Sequence, residues 1–225
     1  MNRPAGPLAK ASAASARRPA RGRDGGATRT RIAGEALKLF AARGIDGTSV
    51  RDIALAAGVA EGALYRHFPS KEALARALFL DGYAALARDV SAILAVVPTF
   101  EARVGALVER FCRLFAEDPE TFVFLLLNQH DHLDHVVRDG EDNVVHVLAR
   151  VFAEAIAAGE IPPQDATLAT AMALGTVLQP AVFALYGRLS GPLAAHAPAM
   201  VTAIVAAARA GGAGNSALVA PPGDC

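Results

Sequence analysis

Apolar residues recur every three or four positions through most of the chain, which is the spacing of helices that bury one face. Ala and Leu are plentiful, and no stretch shows the regular alternation of apolar and polar residues that is typical of half-buried strands. The pattern predicts an all-α protein of about nine helices, divided by proline, glycine and capping residues. A long helix is predicted from Lys71, because no helix-breaking residue follows before Pro98. Two short helices precede it and are described next. The other predicted helices are Thr28–Arg43, Phe100–Glu117, Pro119–Arg138, Glu141–Ala158, Gln164–Leu189 and Leu193–Ala210.

Two short helices are predicted between residues 49 and 68. Thr48 or Ser49 is placed to cap the first, and Gly58 is placed to end it in the left-handed conformation. Leu64 and Phe68, four positions apart in the second helix, can pack back onto the first. Two short helices joined by a tight turn with glycine are typical of a helix-turn-helix, whose second helix enters the major groove of DNA. The apolar face of the first helix consists of Val50, Ile53, Ala54 and Ala57.

The stretch from Gly44 to Leu74 reads GIDGTSVRDIALAAGVAEGALYRHFPSKEAL. It resembles the N-terminal DNA-binding domain of the TetR family of bacterial transcriptional repressors, over roughly the first third of the folded chain. The resemblance implies a homodimer formed through the last two helices and a C-terminal pocket for a small effector. The matching positions are Gly44, Thr48, Ile53, Ala54, Gly58, Tyr65, Phe68 and Lys71.

The resemblance also implies roles at the DNA. Tyr65, His67 and Lys71 occupy the positions from which the family contacts phosphates, and Thr48 adds a hydroxyl at a helix start. The alternatives are a half-buried core aromatic for Tyr65 and solvated surface positions for His67 and Lys71. Base contacts are expected from the N-terminal face of the second short helix and from the helix before it. The candidates are Arg51, Ala60, Glu61, Gly62, Ala63 and Arg66.

The distribution of charge agrees with a DNA-binding site in the N-terminal part of the chain. The chain is neutral overall, but residues 1–76 hold 14 Lys and Arg against 6 Asp and Glu, and residues 77–225 hold 8 against 16. A basic segment that coincides with the helix-turn-helix favours a local polyanion-binding surface. With only two cysteines, Cys112 and Cys225, a disulfide framework is not expected, which suits a reducing cytoplasm. The resemblance implies a bacterial protein that is located in the cytoplasm and associated with the nucleoid. Cys112 is expected to be a small buried apolar residue.

The domain organisation follows from these patterns. We expect a disordered basic arm over residues 1–25, the DNA-binding domain over 26–86 with its motif at 49–68, an effector-binding and dimerisation domain over 87–210, and a disordered tail over 211–225. Residues 166–187 carry no charge and are long enough to span a bilayer, but their Thr, Gln, Gly and Pro content favours a buried helix, so no membrane partner is expected.

The C-terminal half is expected to enclose an unknown apolar or amphipathic effector. The candidate pocket residues, each of which has ordinary core packing as its alternative, are Phe111, Phe115, Phe122, Gln129, His130, Met172, Gln179 and Phe183. The cluster from His130 to His135 (HDHLDH) also allows a metal-responsive site, although helical spacing does not gather its donors on one face. The other interpretations are polar lining of the pocket and a solvated or interhelical polar face. Neither a metal nor another cofactor is predicted.

The leading interpretation is therefore a ligand-responsive repressor that binds a palindromic operator in double-stranded DNA as a homodimer. The alternative is an activator, or a DNA-binding protein without a ligand, on the same scaffold. An enzyme ranks last, because the sequence contains no phosphate-binding glycine loop or nucleophile motif in a strand context. No catalytic residue is predicted.

Overall fold

A computed structural model describes residues 21–132 and 143–211 of the 225-residue chain. These residues form nine α-helices and one short 3-10 helix and contain no strand, so the all-α prediction is confirmed. The α-helices are α1 (Arg21–Arg43), α2 (Val50–Ala56), α3 (Glu61–His67), α4 (Lys71–Val96), α5 (Phe100–Glu117), α6 (Pro119–His132), α7 (Val144–Ala157), α8 (Ala166–Leu185) and α9 (Ala197–Ala210), with the 3-10 helix at Leu193–His196.

Several helix ends lie where local chemistry predicts them. Gly44 follows α1 with a φ of 74°, a conformation that glycine adopts without strain. The hydroxyl of Ser70 accepts the Ala73 amide at 3.0 Å and so caps α4. The Asp118 carboxylate accepts the Thr121 amide at 3.1 Å in the first turn of α6. The predicted end of α6 at Arg138 lies outside the described residues.

Other predicted boundaries were wrong. Helix α1 begins at Arg21, so residues 21–25 of the predicted arm are helical, while residues 1–20 lie outside the described part of the chain. Helix α7 begins at Val144 because the Asn143 side chain caps it, and α8 begins after Asp165 for the same reason. The last predicted helix is divided into the 3-10 turn and α9. For α7, α8 and α9, a polar side chain or a proline near the helix start decided the boundary.

Two clusters of buried apolar side chains form the core. The first joins α1, α2, α3 and α4 and includes Phe40, Leu64 and Phe79. The second joins α5, α7, α8 and α9 and includes Val108, Phe152 and the buried Cys112, as expected for that residue. Burial raises the pKa of the Cys112 thiol. Helix α4 packs against both halves of the molecule, so it connects the N-terminal helices to the C-terminal ones.

The first cluster crosses the predicted boundary between the domains. Phe124 of α6 stacks on Phe40 of α1 with the ring centroids 6.0 Å apart, and both side chains are buried. Val144 and Val147 at the start of α7 belong to the same cluster. The three N-terminal helices therefore do not form a separate core, because α6 and α7 complete it.

The uncharged stretch 166–187 was expected to be a buried helix, but much of α8 is exposed, as is much of α9. By length and composition alone Ala166–Leu185 and Leu193–Ala210 qualify as membrane spans, and only 22% and 28% of those stretches are buried in the chain. One or two such helices are weak evidence for a membrane. The outward side of α8 carries a continuous stripe at helical spacing, formed by Leu168, Met172, Gly175, Gln179, Phe183 and Tyr186. We call this stripe, with the exposed Ala199, Ala203 and Ala206 of α9, the α8–α9 face.

Candidate DNA-binding surface and effector cavity

Ser49 and Asp52 form a reciprocal cap at the start of α2. The Ser49 hydroxyl accepts the Asp52 amide at 3.1 Å, and the Asp52 carboxylate accepts the Ser49 amide at 3.0 Å. Hydrogen bonds from the Ser49 side chain and backbone lower the pKa of Asp52. This cap fixes the direction in which α2 leaves the preceding turn.

Thr48 lies inside the protein, contrary to its expected role at a phosphate. Its side chain is 2% exposed, and its hydroxyl donates to the Gly44 carbonyl at 2.9 Å. Gly47 in the same turn approaches the backbone so closely that a β-carbon there would lie 2.2 Å from the Arg43 carbonyl oxygen. The hydroxyl of Thr48 therefore holds together the turn between α1 and α2 instead of pointing toward a ligand.

A left-handed glycine joins α2 to α3. Gly58 has a φ of 62°, and the Val59 amide donates to the Ala54 carbonyl at 2.9 Å. Leu64 and Phe68 then anchor α3 in the first core cluster. The opposite side of α3 is not buried by the rest of the described chain. Its exposed residues are Glu61, Gly62, Tyr65 and Arg66, while Ala60 is exposed at the N-cap and Ala63 is partly buried.

Gly62 is not required by packing within the chain. It lies in the first turn of α3, its φ is not left-handed, and an added β-carbon would meet no atom within 4 Å. Glycine destabilises a helix by roughly 0.5–1 kcal/mol relative to alanine. The structure therefore contains no internal reason for glycine at a position on the outward side of α3.

Arg29 of α1 secures the C-terminal end of α3, a role that the sequence did not indicate. Its guanidinium lies 4.3 Å from the centroid of the Phe68 ring, and Nη1 donates to the His67 carbonyl at 3.2 Å. A cation near the C-terminal carbonyls of a helix is also favoured by the helix dipole. Because Arg29 and His67 are 38 positions apart, no local pattern in the sequence predicts this contact.

The remaining residues predicted to contact DNA lie around α3 and differ in how exposed their side chains are. Tyr65 lies at the surface of α3, and its side chain is 50% exposed. His67 is partly buried, and Arg51 of α2 is exposed. Lys71 is partly buried, and its ammonium donates to the Ile45 carbonyl at 2.7 Å. Lys71 therefore ties the start of α4 to the turn after α1 and keeps further N–H donors for another partner.

The C-terminal half contains a partly open apolar cavity of about 180 Å³. Tyr83 and Val90 of α4 form one wall, and residues of α5 to α8 with Ile204 of α9 form the others. The cavity thus lies where the two core clusters meet at α4. Its principal aliphatic lining residues are Leu86, Val104, Leu107, Leu125, Leu126, Leu148, Val151, Leu174 and Val177.

The predicted pocket residues divide into three groups. Phe111 and Phe122 line the cavity, and Phe115 packs on Phe122 with the ring centroids 5.1 Å apart but does not line it. Met172, Gln179 and Phe183 do not line it either, because the exposed stripe of α8 carries them outward; Met172 instead borders a groove of about 230 Å³ between α8 and α9. The side chains of Gln129 and His130 lie outside the described residues.

Few polar groups face the cavity, and two of the three have partners. The Thr170 hydroxyl donates to the Ala166 carbonyl at 2.7 Å, and Arg110 Nε donates to Asp89 Oδ2 at 3.1 Å. The third is the Tyr83 hydroxyl, which is buried without a hydrogen-bond partner among the described residues. Burial raises the pKa of Tyr83, so its hydroxyl is neutral at physiological pH, although the nearby Val145 backbone opposes part of the rise.

The histidine cluster from His130 to His135 falls outside the described side chains, so its metal-binding interpretation stays a prediction. In the rest of the chain that the structure covers, no group of three or more His, Cys, Asp or Glu side chains is arranged to hold a metal ion.

A capped short helix, a left-handed glycine and an outward-facing second helix define a helix-turn-helix protein, here joined to a helical domain with an apolar cavity. Residues 32–78 match the family profile described as bacterial regulatory proteins, tetR family. The chain is 54% identical over 46 residues to the transcriptional repressor KstR2 of Rhodococcus jostii, which covers 20% of this chain and 22% of that relative. It is 26% identical over 136 residues to the transcriptional regulator SrpR of Pseudomonas putida, which covers 60% and 64%.

The fold likeness extends over the whole described chain. The crystal structure of the transcriptional regulator FadR from Bacillus subtilis in complex with stearoyl-CoA superimposes with a TM-score of 0.65 at 21% identity, covering 78% of this chain and 97% of that one. The curated relatives are matched over less than two thirds of their own length. Residues 32–78 are thus similar to the DNA-binding region of TetR-family regulators, and the chain shares the all-helical fold of solved regulators of that kind.

Proposed function

We propose that this protein is a transcriptional repressor that binds a palindromic operator as a homodimer and leaves it when a small molecule enters the apolar cavity. The exposed side of α3 carries the proposal. Leu64 and Phe68 hold that helix from behind, while Glu61, Gly62 and Arg66 remain accessible at its front. A helix held in this way can enter the major groove and present its side chains to base edges.

Phosphate contacts supply most of the affinity of such a protein for DNA. Tyr65, His67 and Lys71 flank the exposed side of α3 and are the proposed contacts, whereas buried Thr48 is not retained among them. If a dimer makes six or more phosphate contacts, raising the salt concentration from 50 to 200 mM should lower its affinity for DNA by a factor on the order of 10³. The test is fluorescence anisotropy on an operator selected from random double-stranded DNA. A flat salt response would contradict DNA binding by this mechanism.

Sequence choice is assigned to Arg51 and Glu61. Each side chain is exposed, and no ion pair of either is present among the described contacts. Arg pairs with guanine and Glu accepts from the cytosine amine, each for about 1–3 kcal/mol of discrimination. Arg51→Ala and Glu61→Ala should therefore relax the preference at one operator position each. An unchanged preference at every position would contradict these assignments.

A second copy of the chain is the proposed occupant of the α8–α9 face. This face is apolar and continuous, and Gly175 with the exposed alanines of α9 allows the helices of two subunits to approach closely. Its large apolar side chains Leu168, Met172 and Phe183 are 59%, 53% and 44% exposed in the single chain. A dimer formed here would place two α3 helices about one turn of DNA apart, as a palindromic operator requires.

Phe183→Asp tests the dimer. A charge within the α8–α9 face should convert the dimer to a monomer, as measured by light scattering coupled to size-exclusion chromatography. Leu55→Asp is the matched control, since Leu55 is 81% exposed on α2, away from this face. A dimer that survives Phe183→Asp would exclude this interface.

Helix α4 is the proposed link between the cavity and the DNA. It lines the cavity through Tyr83 and Val90, and it begins at Lys71, directly after the helix-turn-helix. A ligand that binds better to one position of α4 shifts the protein toward that position. Linkage is reciprocal, so operator DNA must weaken ligand binding by the same factor by which the ligand weakens operator binding. A cavity ligand that leaves operator affinity unchanged would contradict the release mechanism.

A further inference from the structure

We propose that the effector is a small neutral molecule with an apolar body and one hydrogen-bond acceptor, and that the Tyr83 hydroxyl donates to this acceptor. The inference rests on the proposed function in assigning the cavity to an effector, but it names the chemistry that the cavity selects. Three features of the cavity carry it: a hydroxyl with no partner among residues 21–132 and 143–211, an apolar lining and a neutralised cation.

The hydroxyl of Tyr83 is the unusual group. Its side chain is 93% buried, since only 7% is exposed, and the ring is held by stacking on Phe79 with the centroids 5.4 Å apart. The Val145 backbone lies near the hydroxyl without forming a hydrogen bond to it, and the Val145 amide donates to the Asn143 side chain at 3.0 Å. A buried hydroxyl without a partner destabilises the protein, and such groups are rare in native structures. A ligand that accepts this hydrogen bond would relieve that cost.

The rest of the cavity selects an apolar and uncharged body. The lining is aliphatic and aromatic, and the hydroxyl of Thr170 is already bonded within α8. Arg110 is the charged residue at the cavity, and Asp89 neutralises it through hydrogen bonds from two guanidinium nitrogens. An anionic ligand would have to break this pair, whereas a neutral one leaves it intact.

The volume sets the size of the part of the ligand that the cavity holds. At about 180 Å³ the cavity is slightly larger than an engineered, apolar cavity of about 150 Å³ in another protein, which stays dry and binds benzene. A single ring with a short substituent therefore fits. Because Tyr83 belongs to α4, the hydrogen bond would be made by the helix that leads to the DNA-binding helices.

The test compares two probes of equal shape, acetophenone and α-methylstyrene, which differ in that a carbonyl oxygen replaces a CH₂ group. Their binding to the full-length protein and to Tyr83→Phe is measured by calorimetry without DNA. We expect Tyr83→Phe to weaken acetophenone by about three- to tenfold and to leave α-methylstyrene unchanged. Ser91→Ala, which removes an exposed hydroxyl from the same helix outside the cavity lining, is the control and should alter neither probe.

The unliganded proteins supply a second readout. Removing a hydroxyl that lacks a partner should raise the melting temperature of Tyr83→Phe, whereas removing a hydroxyl with a structural partner would lower it. Equal effects on both probes, no binding of either probe, or a lower melting temperature would each overturn the inference. Operator binding is measured separately, so these results are distinguishable from a failure of the proposed function itself.

Discussion

A β-carbon added at Gly62 would meet no atom of the protein within 4 Å. Because Gly62→Ala causes no clash within the protein, its effect on helix stability can be measured separately from its effect on DNA binding. Alanine is more favourable than glycine by up to about 1 kcal/mol in a helix interior. Gly62 lies in the first turn of α3, and we therefore expect a gain of about 0.5 kcal/mol in the free energy of unfolding.

The same methyl group should weaken operator binding. If α3 approaches the base edges through the bare backbone at Gly62, a side chain there displaces the helix and weakens at least one base contact. Such contacts are worth about 1–3 kcal/mol, which corresponds to a loss of about fivefold to a hundredfold in affinity for each half-site. The variant should thus be more stable and bind DNA less tightly.

Urea denaturation measures the first effect, and anisotropy on the selected operator at constant salt measures the second. Gly34→Ala is the matched control, because Gly34 is also exposed in a helix and a β-carbon there also meets nothing within 4 Å. This control should gain stability and keep its operator affinity. If Gly62→Ala bound the operator as tightly as the wild type, close approach at this position would be refuted.

Three further substitutions test the support of the helix-turn-helix. Thr48→Val should lower the free energy of unfolding by about 1–2 kcal/mol, because the hydroxyl donates to Gly44, and should leave the salt slope of DNA binding unchanged; a smaller slope would restore Thr48 as a phosphate contact. Arg29→Ala should cost about 1 kcal/mol through the lost contact with Phe68 and should lower operator affinity, with Arg31→Ala as a control that does neither. Because the pKa of Asp52 is lowered, the stability that its carboxylate contributes is complete above its ordinary pKa near 3.8 and is lost as pH falls through the folded-state pKa. The difference in the free energy of unfolding between wild type and Asp52→Asn should therefore shrink between about pH 5 and about pH 2 in denaturation curves. A constant difference would contradict this role for the carboxylate.

Local sequence signals predicted much of the fold because they act within a few residues. Proline at 119, glycine at 44 and 58 and serine at 70 each end or begin a helix through their own backbone or a near neighbour. The exposed side of α3 was predictable for the same reason, since two buried residues four positions apart determine its orientation.

The parts that the sequence did not predict depend on distant partners. Phe183 and Phe111 are equally apolar, but packing turns one outward on α8 and the other into the cavity. Tyr83 falls in the regular pattern of α4, where nothing distinguishes an unpartnered hydroxyl from an ordinary core aromatic. Arg29 meets α3 only after α1 has folded against it. Each of these roles is decided by tertiary packing, which helical periodicity does not contain.

The stacking of Phe124 on Phe40 bears on how new regulators of this type can arise by exchange of domains. A recombination point between α4 and α5 would separate these two buried aromatic rings, which stack on each other. The transplanted C-terminal half would have to bring a matching α6 and the start of α7, or the recipient would expose apolar core. The C-terminal half therefore carries part of the core that supports the N-terminal helices.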